Sequence, residues 1–122
     1  KSAVLNHINH AHMMGEEINV PDLMASFQYA VVDVLTSHAV EAAKNLGYDK
    51  VAIAGGVASN SALRAEMKEA CEKAGLKFYY PSPIFCTDNA AMIGVAGYYE
   101  YINGTRSGLD LNAVPNLKLG ER

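Results

Sequence analysis

A glycine pair and an aspartate, each at a change from strand-like to helix-like sequence, constrain the fold of this chain most. Gly55 and Gly56 end a short apolar run, and Asp88 follows 28 positions after Asn60. Glycines between a strand and a helix allow backbone N–H groups to approach an anion closely. An aspartate at a helix start can hold a cation or cap that helix. Together the two motifs predict a nucleotide and metal site built by an α/β sheet.

The composition is typical of one globular unit. Half of the 122 residues are hydrophobic, yet no apolar run approaches the ~18 residues of a membrane span. The first residues lack the apolar core of a secretory signal, and Cys71 and Cys86 are too few for a disulfide framework. These features predict a single domain over residues 1–122, located in the cytoplasm. The net charge of −3 argues against this surface alone gripping a nucleic acid backbone.

Apolar residues at three- and four-residue spacing predict four helices, and two short apolar runs between them predict strands. The helices are predicted over residues 2–14, 21–46, 63–74 and 88–101. Ser2 and Thr87 are the predicted caps of the first and last helix. Lys50–Ala54 is the first predicted strand, buried on both faces, and Lys77–Tyr80 is the second.

The predicted order α-α-β-α-β-α implies that the two strands are parallel and joined by a right-handed crossover. Two short parallel strands cannot cover both of their faces or satisfy their edges alone, because parallel sheets are normally larger and buried. We therefore expect this chain to be a slice of a bigger sheet.

The two motifs also have a purely structural interpretation. The glycine pair is then a tight turn, with Ser59 or Asn60 as the cap of the following helix. Asp88 is then an acid in the first turn of a helix, where the helix dipole favours it. In the functional interpretation, the glycines leave room for a nucleotide that the Asn60 side chain hydrogen-bonds. The local sequence leaves both interpretations open.

Several further residues are weaker candidates for chemistry. His7 and His10 lie three positions apart, but surface histidines are favoured over metal ligands. Cys86 is predicted to be a small buried residue rather than a nucleophile, since the local sequence implies no partner histidine. Glu69 and Lys73 are expected to form an i,i+4 pair on a solvated helix face that also carries Glu66. Helix packing, strand packing or a partner interface is favoured over base stacking for the tyrosines Tyr79, Tyr80, Tyr98, Tyr99 and Tyr101.

Four segments of the chain resemble one known family. In chain order they are GEEINVPDLMASFQYAVVDVL, GGVASNSALR, FYYPSPIFCTDNAAMIGVAGYY and SGLDLNAVPNLKL. They resemble the C-terminal part of the TsaD/Gcp family of tRNA adenosine threonylcarbamoyltransferases, once called O-sialoglycoprotein endopeptidases or metalloproteases. The resemblance covers essentially all 122 residues, and motif order, spacing and flanking hydrophobic residues agree. It implies part of one lobe of the two-lobed, actin-like (ribonuclease H-like) ATPase fold.

The resemblance also implies roles for individual residues. Gly55 and Gly56 match the glycine pair that lies against the nucleotide, and Asn60 matches the asparagine that contacts the substrate adenylate. Asp88 matches the aspartate that ligates the active-site divalent metal, iron or zinc. The family's other ligands are histidines of an HxxxH motif in its N-terminal half, which is absent from this sequence. The resemblance therefore implies a C-terminal piece that is inactive by itself.

In the intact enzyme, the resemblance implies transfer of threonylcarbamoyl from an adenylate to the tRNA adenosine beside the anticodon. The implied partners are tRNA, an ATP-type nucleotide and accessory proteins of the same pathway, without a membrane. Two alternatives remain. One is a related small-molecule carbamoyltransferase or ATPase, and the other is a non-catalytic interaction module. The open strand edge and the apolar helix faces also predict a homodimer.

Overall fold

The computed structural model describes residues 1–118 and 120, and it has the predicted order of helices and strands. The main elements are α1 (Ser2–Met14), α2 (Val20–Asn45), β1 (Lys50–Ala52), α3 (Ser61–Lys73), β2 (Lys77–Tyr79) and α4 (Ala90–Ile102). Short 3-10 helices, Gly56–Ser59 and Pro83–Phe85, follow the two strands. The predicted α/β class is therefore confirmed. Within the described part of the chain, none of the helices combines the length and the hydropathy that crossing a membrane requires.

The chain divides into two compact units, residues 1–87 and residues 88–122. The first unit contains three helices and both strands, and the second contains α4 and the turns that follow it. The single domain over residues 1–122 stays a prediction. It includes Leu119, Glu121 and Arg122, which lie outside the described residues.

Local sequence explains the ends of the first two helices. Gly15 ends α1 with a φ of 68°, a left-handed conformation that favours glycine. Asn19 caps α2, because its side chain accepts a hydrogen bond from the backbone N–H three residues later, at 3.3 Å. Pro21 lies in the first turn of α2, where its missing N–H costs little. The prediction that Ser2 caps α1 is wrong, since Lys1 is the cap residue and makes no side-chain cap bond.

The two strands pair in parallel, as predicted, with Val51 opposite Phe78. The prediction that the first strand is buried on both faces is wrong. Val51 is buried, whereas Lys50 and Ala52 on either side are exposed. Because successive side chains point to opposite faces, this alternation shows that the helices of the first unit cover one face of the sheet.

The core of the first unit joins α2, β1 and α3. Its buried side chains are Val32, Ala43, Val51, Leu63, Met67 and Cys71. Half of them come from α3, at the four-residue spacing that places them on one helix face. The opposite face carries the predicted ion pair, in which Lys73 Nζ lies 2.6 Å from Glu69 Oε1. The helix is thus amphipathic in the way that its sequence predicts.

The last helix begins later than the sequence predicts. Asn89 is its cap residue, and the side chain of Asn89 accepts a hydrogen bond from Met92 N at 3.0 Å. Asn89 is extended, with φ −152° and ψ 154°, so the helix starts at Ala90 rather than at Asp88. The prediction of Thr87 as the cap is therefore wrong. No residue of α4 is buried.

Candidate functional site

The chain turns sharply after β1 at Gly55. This residue has φ 83° and ψ 177°, a conformation that is open essentially to glycine alone. Gly56 then begins a short 3-10 helix in which Ala58 is buried. A Cβ atom built on Gly56 would meet no atom of the described residues within 4 Å. The backbone conformation at Gly55 therefore requires glycine, while the space beside Gly56 is open to a ligand.

Asn60 caps α3 through the oxygen atom of its side-chain amide. Its Oδ1 accepts hydrogen bonds from Ala62 N at 2.9 Å and from Leu63 N at 3.1 Å. The capping role is therefore confirmed for Asn60, and Ser59 is not the cap. Among the residues that the structure describes, no group accepts a hydrogen bond from Asn60 Nδ2. Asn60 can consequently cap the helix and still donate to a ligand.

A groove of about 510 Å³ borders Asn60. Most of its wall comes from α2, and the rest comes from the segment after β1. The lining residues are Met24, Ala25, Phe27, Gln28, Val31, Val57 and Asn60. An apolar wall with an aromatic ring and a few amide groups is typical of small-molecule sites. The groove lies within the first unit, directly beside the asparagine that the sequence singles out.

Arg64, one turn into α3, joins the turn after β1 to the segment after β2. Its Nε donates a hydrogen bond to the carbonyl of Ala58, and its Nη2 donates to the carbonyl of Pro81 at 3.0 Å. Nη2 also lies 3.2 Å from Cys86 Sγ, and the guanidinium lies 4.7 Å from the centre of the Tyr80 ring. Arg64 could not be identified from the sequence, because contacts with backbone carbonyls are not visible in a pattern of side chains.

Both cysteines are free thiols and buried, which agrees with the prediction that they form no disulfide framework. Cys86 is 3% exposed, so its prediction as a small buried residue is confirmed. Cys71 lies in the core of the first unit and is fully buried. Burial raises the pKa of the Cys71 thiol, which keeps it protonated and unreactive at neutral pH.

Asp88 is the first residue of the second unit, and its side chain is exposed. It lies before the cap residue Asn89, so its interpretation as an acid in the first helical turn is wrong. It lines a cavity with Asn89, Ala90, Met92 and Ile93. Throughout residues 1–118 and 120, no three His, Cys, Asp or Glu side chains are grouped so that they could hold a metal ion. These residues alone therefore do not fit a complete metal site, and Asp88 can contribute one ligand.

The tyrosines of α4 are exposed rather than packed. Tyr98, Tyr99 and Tyr101 expose between 57% and 62% of their surface, and the first two rings meet edge to face at 5.6 Å. The predicted packing of these tyrosines is not seen within the second unit, where no residue of α4 is buried. A partner interface through these side chains stays a prediction.

The geometry of the first unit defines a class of protein. It is an α/β protein whose candidate ligand site lies at the carboxyl ends of parallel strands, where α/β sheets commonly bind ligands. The family model described as tRNA N6-adenosine threonylcarbamoyltransferase matches residues 1–95, a range that includes Gly55, Asn60 and Asp88. The chain belongs to this family, TsaD, as its motifs predict.

Curated relatives match the chain along its whole length. Over all 122 residues it is 58% identical to the tRNA N6-adenosine threonylcarbamoyltransferase of Clostridium botulinum strain Hall. It is 59% identical to the protein of the same name from Clostridium perfringens strain 13. In both comparisons the chain spans 36% of the length of the relative.

Proposed function

We propose that this chain is the C-terminal part of a tRNA N6-adenosine threonylcarbamoyltransferase and carries a nucleotide-binding turn of that enzyme. The observation behind the proposal is the unused Nδ2 donor of Asn60, beside the open space at Gly56 and an apolar groove. The reaction moves threonylcarbamoyl from an adenylate to the exocyclic amine of the tRNA adenosine beside the anticodon. Family membership and the names of both relatives support this choice of reaction.

The residues after β1 would hold the adenylate in place. Gly55 sets the direction of the turn, and Gly56 leaves room for the nucleotide to approach the backbone closely. Asn60 Nδ2 donates a hydrogen bond to the nucleotide, while the groove beside it takes an apolar part such as the base. Fixing the adenylate in this way contributes to the reaction through positioning, because a held reactant no longer loses orientational freedom.

Asp88 would supply one ligand to a divalent metal, iron or zinc. The described residues offer no second and third ligand, so these must come from outside this chain. We therefore propose that the isolated 122-residue chain is inactive in threonylcarbamoyl transfer and binds such metals weakly. Calorimetric titration with zinc or iron should show no tight stoichiometric binding. Tight binding that is lost in Asp88→Ala would contradict this part of the proposal.

The wider assembly is also part of the proposal. The intact enzyme, meaning a full-length protein that contains this chain, would have the two-lobed actin-like fold and act in the cytoplasm with accessory proteins. The described sheet has two strands and is covered on one face, whereas parallel sheets are normally larger and covered on both faces, which supports further strands and helices in the intact enzyme. Because the net charge is −3, most contacts to the tRNA phosphates would come from other surfaces. An assay that compares transfer to tRNA with transfer to a small hydroxyl acceptor distinguishes this reaction from small-molecule carbamoyl transfer.

Two substitutions at Asn60 in the intact enzyme test the nucleotide site. Asn60→Asp keeps an acceptor for the cap of α3 but replaces the Nδ2 donor with a carboxylate oxygen. Its free energy of unfolding should stay near the wild-type value, while its affinity for ATP falls about 10-fold or more. Asn60→Ala should lose the same affinity and also about 1 kcal/mol of stability.

The two variants separate capping from ligand binding. ATP affinity is measured by calorimetry, and stability is measured by urea unfolding of the same preparations. Wild-type ATP affinity in both variants, with lower stability in Asn60→Ala alone, would show that Asn60 is only a helix cap.

A further inference from the structure

Arg64 contacts both loops at the edge of the sheet where the candidate site lies. The loops follow β1 and β2, which are neighbouring parallel strands, so their carboxyl ends meet at the same edge. The guanidinium donates to Ala58 in the first loop and to Pro81 in the second. Arginine suits this task because its planar fork donates in several fixed directions, whereas a lysine ammonium is a point charge on a flexible stem.

We propose that Arg64 is a positioning residue that couples the nucleotide-binding turn to the chain segment leading to Asp88. It ties residues 81–86 to residues 56–60, so that a nucleotide bound at the turn also steadies the second loop. The second loop ends two positions before Asp88 in the chain. The identity of the ligand rests on the proposed function, but the tie between the loops does not.

The contacts of Cys86 make this tie measurable. Its Sγ lies 3.2 Å from Arg64 Nη2 and 3.6 Å from the carbonyl of Ser82, and the residue is 3% exposed. Charge-assisted hydrogen bonds are stronger than neutral ones, so loss of the guanidinium should let the loop open locally. Cys86 then becomes reachable, while Cys71 in the core reports whether the whole unit remains folded.

The first experiment measures alkylation of each cysteine by N-ethylmaleimide in the 122-residue chain, with peptides resolved by mass spectrometry. The variants are Arg64→Ala and Arg64→Lys. Arg106→Ala is the matched control, because Arg106 stacks on Tyr101 and, among the described residues, donates only to the carbonyls of Tyr101 and Thr105. Cys86 should react about 10-fold faster or more in both Arg64 variants, with Cys71 unchanged and the control like wild type.

The second experiment tests the coupling in the intact enzyme with ATP as the probe. ATP should slow the alkylation of Cys86 in the wild-type enzyme, because Arg64 links the two loops and a bound nucleotide then reduces the local opening of both. ATP should not slow the alkylation of Cys86 in Arg64→Lys, even when calorimetry shows that ATP is bound. A role of Arg64 in stability alone would not remove this protection by ATP.

The outcomes distinguish the two proposals. If ATP does not bind the wild-type enzyme, the proposed nucleotide site fails, while the alkylation of the isolated chain still tests the tie. An unchanged Cys86 rate in Arg64→Ala would overturn the tie between the loops. Faster alkylation of both cysteines in both variants would overturn it as well, since Arg64 would then hold the whole fold. Protection by ATP that persists in Arg64→Lys would overturn the coupling.

Discussion

The helices α3 and α4 have the same length, 13 residues, but opposite relations to their surroundings. One face of α3 buries Leu63, Met67 and Cys71, and its other face carries charged pairs. In contrast, α4 is apolar on nearly all sides and buries nothing among the described residues. A soluble helix that is apolar all round is normally buried in a larger protein or an interface. The packing partners of α3 are therefore encoded in the first unit, whereas α4 leaves its apolar side chains exposed.

Exposed apolar side chains occur along the whole length of α4. Each of them exposes at least half of its surface: Met92, Ile93, Val95, Tyr98, Tyr99, Tyr101 and Ile102. Large exposed apolar patches commonly mark interaction sites. We propose that α4 is covered by the rest of the enzyme in its intact form, and by a second copy of the chain when it is isolated.

The two helices should differ most in what their side chains contribute to the free energy of unfolding. Met67 is 1% exposed in α3, so Met67→Ala should lower the free energy of unfolding by about 2–5 kcal/mol through the cavity that it leaves. Ile93 is 70% exposed in α4, so Ile93→Ala should change it by less than about 0.5 kcal/mol. Urea unfolding of the dilute chain, followed by circular dichroism, measures both values. Equal losses in the two variants would show that α4 contributes to the folded core as much as α3 does.

A smaller effect is expected on association of the isolated chain. Light scattering at micromolar concentration should give a mass of about twice 13.1 kDa. Tyr98→Lys in α4 should weaken the dimer about 10-fold or more, because it places a charge in an apolar interface. Tyr48→Lys is the control, since Tyr48 is 65% exposed and lies outside α4. A clean monomer in the wild type would refute self-association.

The smallest effect is expected on the charged face of α3. The hydrogen bond from Lys73 holds the pKa of the Glu69 carboxyl below its ordinary value, and Glu69 raises the pKa of Lys73. Glu69→Gln should lower the melting temperature only slightly at neutral pH, because exposed pairs contribute little. The lowered pKa means that this contribution is lost as Glu69 becomes protonated, so the difference should shrink as the pH falls below about 5.

The raised pKa of Lys73 acts at the other end of the pH range. The contribution of Lys73 to stability is complete at neutral pH and is lost only as the pH rises through the lysine pKa in the folded chain.

Thermal unfolding of wild type and Glu69→Gln across the acid range tests the pair of Glu69 and Lys73. A difference that grows with acidification would show that another group is responsible.

Much of the fold could be predicted because its signals are local. The spacing of Leu63 and Met67 and the glycine at the end of each early helix are visible in the sequence alone. The same holds for Asn60 as a cap. Burial of β1 on one face only could not be predicted, because it depends on which helices pack where. The sequence could not show which residue caps α4, because Asn89 and Thr87 are both good cap residues. The extended conformation of Asn89 decides between them.

The candidate site was less predictable than the fold. Gly55, Gly56 and Asn60 could be identified because turn and cap chemistry needs particular residue types. The groove could not, since Met24 and Phe27 look like ordinary residues of an amphipathic helix. Arg64 could not be identified because its main acceptors are backbone carbonyls, and one of them, that of Pro81, lies 17 residues away and becomes a neighbour only when the two strands pair.

We propose that this chain supplies Asp88 to the active site of a threonylcarbamoyltransferase. The most direct measurement is threonylcarbamoyl transfer to tRNA by the intact enzyme carrying Asp88→Asn, a substitution that keeps the size of an exposed side chain. Activity should fall about 100-fold or more. Loss of an outer-shell partner of a metal typically costs about 10- to 100-fold, and loss of a direct ligand should cost more. The melting temperature should not change. Wild-type activity in Asp88→Asn would show that the Asp88 carboxylate has no role in the reaction.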